Sequence, residues 1–121
     1  MSYRRQRLGK TGEDRAVVEL TRRGYAILAR RYRTRHGEID IEAQDGPTVV
    51  FVEVKARTTG AFGHGVEAVG ALKQRRLVSM AEDYLMRHRL GGCPCRFDVV
   101  AVDGMGEGKP AITLIRDAFW A

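Results

Sequence analysis

Asp40, Glu53 and Lys55 are the residues of this chain whose types and spacing best suit chemistry. Two carboxylates held side by side repel and lose solvation unless a cation lies between them. Mg²⁺, with Mn²⁺ as its substitute, is the simplest such cation. It favours oxygen ligands, keeps waters, and takes one or two carboxylates together with substrate phosphate. An amine beside the pair would orient or deprotonate a water, or stabilise charge developing on a phosphate. Cleavage of a phosphodiester is the reaction this outline suits.

Whether the three groups meet depends on two segments. Val49-Val50-Phe51-Val52-Glu53-Val54-Lys55-Ala56-Arg57 alternates β-branched and aromatic residues and reads as a strand at the centre of a sheet, buried on both faces. Its period of two puts Val49, Phe51, Glu53 and Lys55 on one face and Val50, Val52, Val54 and Ala56 on the other. The preceding segment also alternates, with Ile39, Ile41 and Ala43 to one side and Glu38, Asp40 and Glu42 to the other. Asp45-Gly46-Pro47-Thr48 is a turn signal that makes the two segments an antiparallel hairpin. With Gln44 opposite Val49 across a four-residue loop, Asp40 stands opposite Glu53, their Cβ atoms roughly 4.5–5.5 Å apart. A slip of one residue would separate them.

Asp40, twelve intervening residues, then Glu53-Val54-Lys55 resembles the Asp-(x)n-(Asp/Glu)-x-Lys signature of the restriction-endonuclease-like nuclease superfamily. The chain more closely resembles the YraN-type uncharacterised bacterial family, itself similar to archaeal Holliday-junction resolvases. The matching stretches run from Gly12-Glu13 through Gly37-Glu38-Ile39-Asp40, Phe51-Val52-Glu53-Val54-Lys55 and Lys73-Gln74-Arg75-Arg76 to Phe97-Asp98-Val99-Val100. Ile39 departs from the superfamily pattern, in which a proline often precedes the aspartate; that proline biases only the turn. The resemblance implies an α/β restriction-endonuclease-like fold, a mixed central sheet flanked by helices in the order α-β-β-β-α-β-β. It implies a metal-dependent endonuclease acting on DNA, branched or otherwise structured. Asp40, Glu53 and Glu13 are then the metal ligands, with Lys55 and Gln74 as further catalytic residues. Arg35, Arg57, Lys73, Arg75 and Arg76 are the expected nucleic-acid contacts. Resolvases of this kind work as dimers, so a homodimer is also raised, although no self-complementary surface is legible.

Length and charge agree with a single nucleic-acid-binding domain. At 121 residues, 44% hydrophobic and 30% charged, the chain can bury a small core without disulfides or structural metal. A formal net charge of +6, with arginines clustered at positions 4–5, 22–23, 30–31, 33, 35 and 75–76, attracts polyanions. The plainer alternative is a solvated basic surface. No apolar run approaches the ~20 residues needed to span a bilayer, and the charged N-terminus leads into no apolar signal segment, so a cytoplasmic protein is expected. Cys93 and Cys95 flank Pro94 too tightly for an ordinary disulfide and lack two further ligands nearby, which leaves them structural or incidental.

The remaining elements are read in order. Met1 to Lys10 is polar and basic and reads as a flexible arm preceding a domain over 11–121. Thr11 offers an N-cap, with Asp14 three residues on, for a helix running to Arg23 and stopped by Gly24. Glu13 lies on that helix's apolar face, ahead of Val17 and Leu20. It either complements the helix dipole, as first-turn acids do, or, as the resemblance implies, faces the metal. A first strand spans Tyr25 to Arg33, its arginines free to contact phosphates or to solvate a sheet edge. The glycines of the loop Thr58 to Gly65, which holds His64, match neither a dinucleotide fingerprint nor a P-loop. A second helix spans Val66 to Arg89, with Val66, Val69, Leu77, Met80, Ala81, Tyr84 and His88 as its apolar stripe and Lys73 and Gln74 inside it. Arg96 to Asp103 and Ala111 to Arg116 are the last strands. Asp98 suits an ion pair with an arginine or lysine, and Trp120 suits packing on the sheet. Two rival readings remain beside the nuclease: a nucleic-acid-binding module without turnover, and an interaction domain in which Glu53 and Lys55 form a structural ion pair. The complete motif disfavours the interaction domain but does not separate the nuclease from the module.

Overall fold

The structure, a computed structural model, describes residues 3–57, 69–104 and 108–119, with the backbone alone over residues 3–10. Helix α1 (Tyr3–Arg22) is followed by strands β1 (Ala26–Thr34), β2 (Gly37–Asp45) and β3 (Thr48–Ala56), helix α2 (Ala71–Arg87), and strands β4 (Cys95–Asp103) and β5 (Ala111–Ile115). The strands form one sheet in the order β1-β2-β3-β4-β5, antiparallel throughout except for the parallel pair β3 and β4. Parallel neighbours need a crossover, and the connection containing α2 supplies it. One helix lies on each face. Ala16 and Leu20 of α1 pack on Val50, Val52, Val100 and Val102, while Leu77, Met80, Ala81 and Tyr84 of α2 pack on Val49, Phe51, Phe97 and Val99. This is the α/β restriction-endonuclease-like architecture expected from the sequence. Among the described residues no helix is long and apolar enough to cross a membrane.

The hairpin forms in the expected register, with Gln44 opposite Val49. Its loop is tighter than expected. Asp45 pairs with Thr48, so only Gly46 and Pro47 turn the chain, Gly46 at φ 59°.

Helix α1 starts earlier than its composition suggests. The backbone is helical from Tyr3, so Thr11 lies inside the helix and is not its cap. Arginine, glutamine, leucine and lysine are good helix formers, and a glycine costs about 1 kcal/mol without ending a helix. Glu13 therefore sits in mid-helix, where the dipole explanation for it no longer applies. Gly24 ends the helix as expected, at φ 94°, with the Gly24 and Tyr25 amides bonded back to the Thr21 and Leu20 carbonyls. Tyr25 precedes β1 rather than opening it.

Helix α2 is shorter than the Val66–Arg89 expected. Gly70 is its N-cap and His88 its C-cap, so Val69 and Gly70 precede it. His88 is exposed rather than part of the buried stripe, its ring stacked on Tyr84 at 4.1 Å. Val66, the 58–65 loop with His64, and Trp120 lie outside the described residues.

The alternation expected of β2 breaks at one residue. Ile41 and Ala43 belong to the core under α1, whereas Ile39, two positions before Ile41, belongs to the core under α2. A regular strand would keep Ile39 and Ile41 on one face. The chain changes faces at Asp40. The neighbouring strand is irregular at the same level, where Arg31 adopts φ 59° between the paired residues Arg30 and Tyr32.

Candidate functional site

Asp40 owes its position to that change of face. The last regular pair of the hairpin is Ile41 with Val52, and the next step along the ladder brings Asp40 to Glu53. There the Asp40 carboxylate itself takes a ladder bond: Oδ2 accepts the Val54 N–H at 2.8 Å. Strand amides lie in the plane of the sheet, so the carboxylate turns inward along β3 beside Glu53. Burial first, and the charge of Glu53 next, push the Asp40 pKa up to about 7, although the Val54 amide pulls the other way. The residue is thus poised to lose a proton or gain a cation near neutral pH.

Glu53 occupies the α2 side of β3 with 5% exposure. Two lysines share one of its oxygens. Lys73 Nζ donates to Oε2, and Lys55 Nζ stands 3.4 Å from the same atom. The other oxygen, Oε1, is buried with no hydrogen-bond partner among the described residues. Lys73 belongs to the first turn of α2, where a cation opposes the helix dipole and no acid offsets it. Burial further disfavours its charge, but the hydrogen bond and charge of Glu53 outweigh burial and raise its pKa above the usual lysine value. Glu53 is therefore what holds an otherwise misplaced ammonium.

Glu13 reaches the same region from α1. It is buried, its charge raises the pKa of both Asp40 and Glu42, and its Oε1 is claimed by Arg30 at 2.8 Å and Arg31 at 3.2 Å. Arg30 and Arg31, in the middle of β1, thus serve a carboxylate, where the sequence offered phosphate contact or edge solvation. Asp40, Glu53 and Glu13 do not stand as one ready set of ligands, and among the described residues no three His, Cys, Asp or Glu side chains gather for a metal ion. The pair Asp40 and Glu53 does fit one. An orphaned buried oxygen beside a desolvated carboxylate suits Mg²⁺, which needs only one or two protein carboxylates and completes its shell with water and phosphate oxygens.

Gln74 is engaged elsewhere. Its carboxamide donates to the Val69 carbonyl at 2.8 Å and ties down the entry to α2. Of the residues expected to meet nucleic acid, Arg35, Arg75 and Arg76 are exposed, Arg57 is half-buried after β3, and Lys73 is on Glu53.

One group was given no role in the sequence and stands out in the structure. Glu42, paired with Phe51 across the hairpin, is fully buried, and among the described residues neither carboxylate oxygen has a well-formed hydrogen bond. Burial, then Asp40 and Glu13, push its pKa up to about 8, against a smaller opposing effect of the Tyr32 backbone amide. The signal was present in the register: whatever faces Phe51 on a doubly covered sheet enters the core.

Asp98 does hold an arginine. Its Oδ1 accepts Arg96 Nε at 3.0 Å, its Oδ2 accepts the Tyr25 hydroxyl at 2.9 Å, and Arg96 also reaches Asp45 at 2.9 Å. This network binds the start of β4 to the hairpin and to the end of α1. Cys93 and Cys95 are free thiols.

A mixed five-stranded sheet between two helices, in the order α-β-β-β-α-β-β, defines the restriction-endonuclease-like fold class. Within that class the chain belongs to uncharacterised protein family UPF0102, whose family model matches residues 12–102. It is 49% identical over 116 residues to a UPF0102 protein of Symbiobacterium thermophilum, covering 96% of this chain and 98% of the relative. A UPF0102 protein of Anaeromyxobacter dehalogenans is 48% identical over 117 residues, covering 95% and 85%. One of Geobacter metallireducens is 44% identical over 119 residues, covering 98% and 97%.

Proposed function

We propose that the protein is a metal-dependent endonuclease that hydrolyses phosphodiesters in DNA, branched or otherwise structured DNA being the favoured substrate class. The observation that carries this reading is the meeting of Asp40, Glu53 and Lys55 at one point of the hairpin, with a buried Glu53 oxygen left without a partner among the described residues. Asp40 and Glu53 would hold Mg²⁺ or Mn²⁺, and Glu13 is a third candidate ligand should Arg30 and Arg31 release it. The ion, when bound, supplies Lewis acidity toward a phosphate oxygen and a water. Lys55, fixed on a rigid central strand, orients the water or offsets charge growing on the phosphate. Arg35, Arg57, Arg75 and Arg76 hold the backbone of the nucleic acid, and the cytoplasm is the expected compartment. Dimerisation, raised by the likeness to resolvases, is a separate expectation that sedimentation would test.

A second reading rests on a specific observation. Glu53 is already neutralised by Lys55 and Lys73, which also suits a module that binds nucleic acid without cutting it. The two readings part on incubation with labelled branched, flapped and single-stranded DNAs in Mg²⁺ or Mn²⁺. Metal-dependent cleavage that falls at least about a hundredfold in Asp40→Asn and in Glu53→Gln supports the nuclease. Cleavage that survives both substitutions rejects this site, and binding without cleavage by the wild type favours the module.

A further inference from the structure

We propose that Lys73 is a displaceable internal cation: it holds Glu53 closed to metal until a polyanionic nucleic acid draws it away, so that metal and nucleic acid bind cooperatively. The inference rests on the nuclease reading of the Asp40 and Glu53 pair and adds a gate to it.

Three observations carry it. Lys73 Nζ engages Glu53 Oε2, one of the two carboxylate oxygens a metal would use, so ammonium and metal compete for one charge. That carboxylate does not depend on Lys73 for its only partner, because Lys55 stands on the same atom and remains there if Lys73 leaves. The Lys73 side chain is 44% exposed while Glu53 is 5% exposed, so the lysine reaches into the site from outside and has an open way back. An internal ion pair of this geometry is either a permanent strut or a latch, and its surroundings favour the latch. Lys73 begins a helix whose dipole repels it, and Arg75 and Arg76 follow it on the exposed surface. A phosphate chain drawn to those arginines would offer Lys73 a second anion. Once the ammonium moves, Oε2 keeps only Lys55, at 3.4 Å, beside the open Oε1, and the charge lost is replaced by the cation the chemistry needs. Linkage makes the effect reciprocal: whatever factor nucleic acid adds to metal affinity, metal adds to nucleic-acid affinity.

The test uses the full chain and Mn²⁺, with free ion read from its electron paramagnetic resonance signal, in the absence and presence of a phosphorothioate-blocked four-way DNA junction. Lys73→Met keeps the length of the stem and removes the charge. It is expected to bind Mn²⁺ at least about fivefold more tightly than wild type without DNA, and to lose most of the tightening that DNA confers on wild type. Lys73→Arg, which keeps the charge, is expected to stay near wild type. Mn²⁺ affinity that is unchanged or weaker in Lys73→Met, with wild-type binding abolished by Asp40→Asn, overturns the gate and leaves the nuclease reading standing. Failure of wild type and Lys73→Met alike to bind Mn²⁺, with and without the junction, overturns both.

Discussion

At Glu42 a carboxyl group has lost contact with water and, among the described residues, has no well-formed hydrogen bond to either oxygen. Holding a charge there is costly, so the folded chain keeps the proton, with a pKa pushed up to about 8 from an ordinary value of 4.5. The consequence for stability has a definite sign. A group whose pKa rises on folding stabilises the fold fully below the unfolded pKa and loses that contribution as pH climbs through the folded one. Measured by urea unfolding in EDTA, the wild type is expected to lose on the order of 3 kcal/mol between about pH 5 and about pH 8 from this group. Glu42→Gln, neutral at every pH, should flatten that slope and be the more stable protein at the alkaline end. An unchanged slope in the variant would show that Glu42 is solvated or paired. Asp40 shifts in the same direction, to about 7, and adds to the wild-type trend. It was legible as a site residue from the spacing Asp40, Glu53, Lys55. Its route to Glu53 was not, because strict alternation places Ile39 and Ile41 together and the structure parts them.

At the scale of elements, the close approach of α1 to β3 brings Glu13 within electrostatic reach of Asp40. That approach is set by Gly12. A Cβ built on it would lie 2.5 Å from the Cβ of Ala56, well inside contact distance. Gly12→Ala gains about 1 kcal/mol in helix propensity, but overpacking a rigid helix and sheet contact costs typically 1–3 kcal/mol. The net expectation is a loss of about 1 kcal/mol, seen as a lower urea midpoint with an unchanged slope. A gain in stability would mean that α1 can retreat freely. Gly12 was read in the sequence only as the head of a matching stretch. The end of α1 was legible through Gly24, whose φ of 94° no other residue adopts as readily. Its start was not, because basic residues suit both a solvated arm and an exposed helix.

For the whole molecule, a net charge of +6 on 121 residues makes attraction to polyanions the dominant long-range force. Binding to DNA through the five expected contacts, Arg35, Arg57, Lys73, Arg75 and Arg76, should release a similar number of counterions. Affinity measured by fluorescence anisotropy should then fall roughly two to three orders of magnitude between about 50 and about 200 mM salt. Replacing Arg75 and Arg76 together with alanine should lower the slope of log K against log salt by about 2. A slope unaltered by that change would move the nucleic acid to another face.

What the sequence determined by itself is whatever local pattern dictates: the seven elements in order, a turn within Asp45 to Thr48, and, on the condition that Gln44 faces Val49, the neighbourhood of Asp40 and Glu53. Periodicity and turn chemistry act over a few residues and can be read there. What only the tertiary structure decided is which charge answers which. Lys73 meets Glu53 across 20 positions, Arg30 and Arg31 meet Glu13 across 17 and 18, and among the described residues no cation answers Glu42. Those pairings depend on how two helices close over opposite faces of one sheet, and burial, which makes a carboxylate costly to leave without a partner, exists only after that closure.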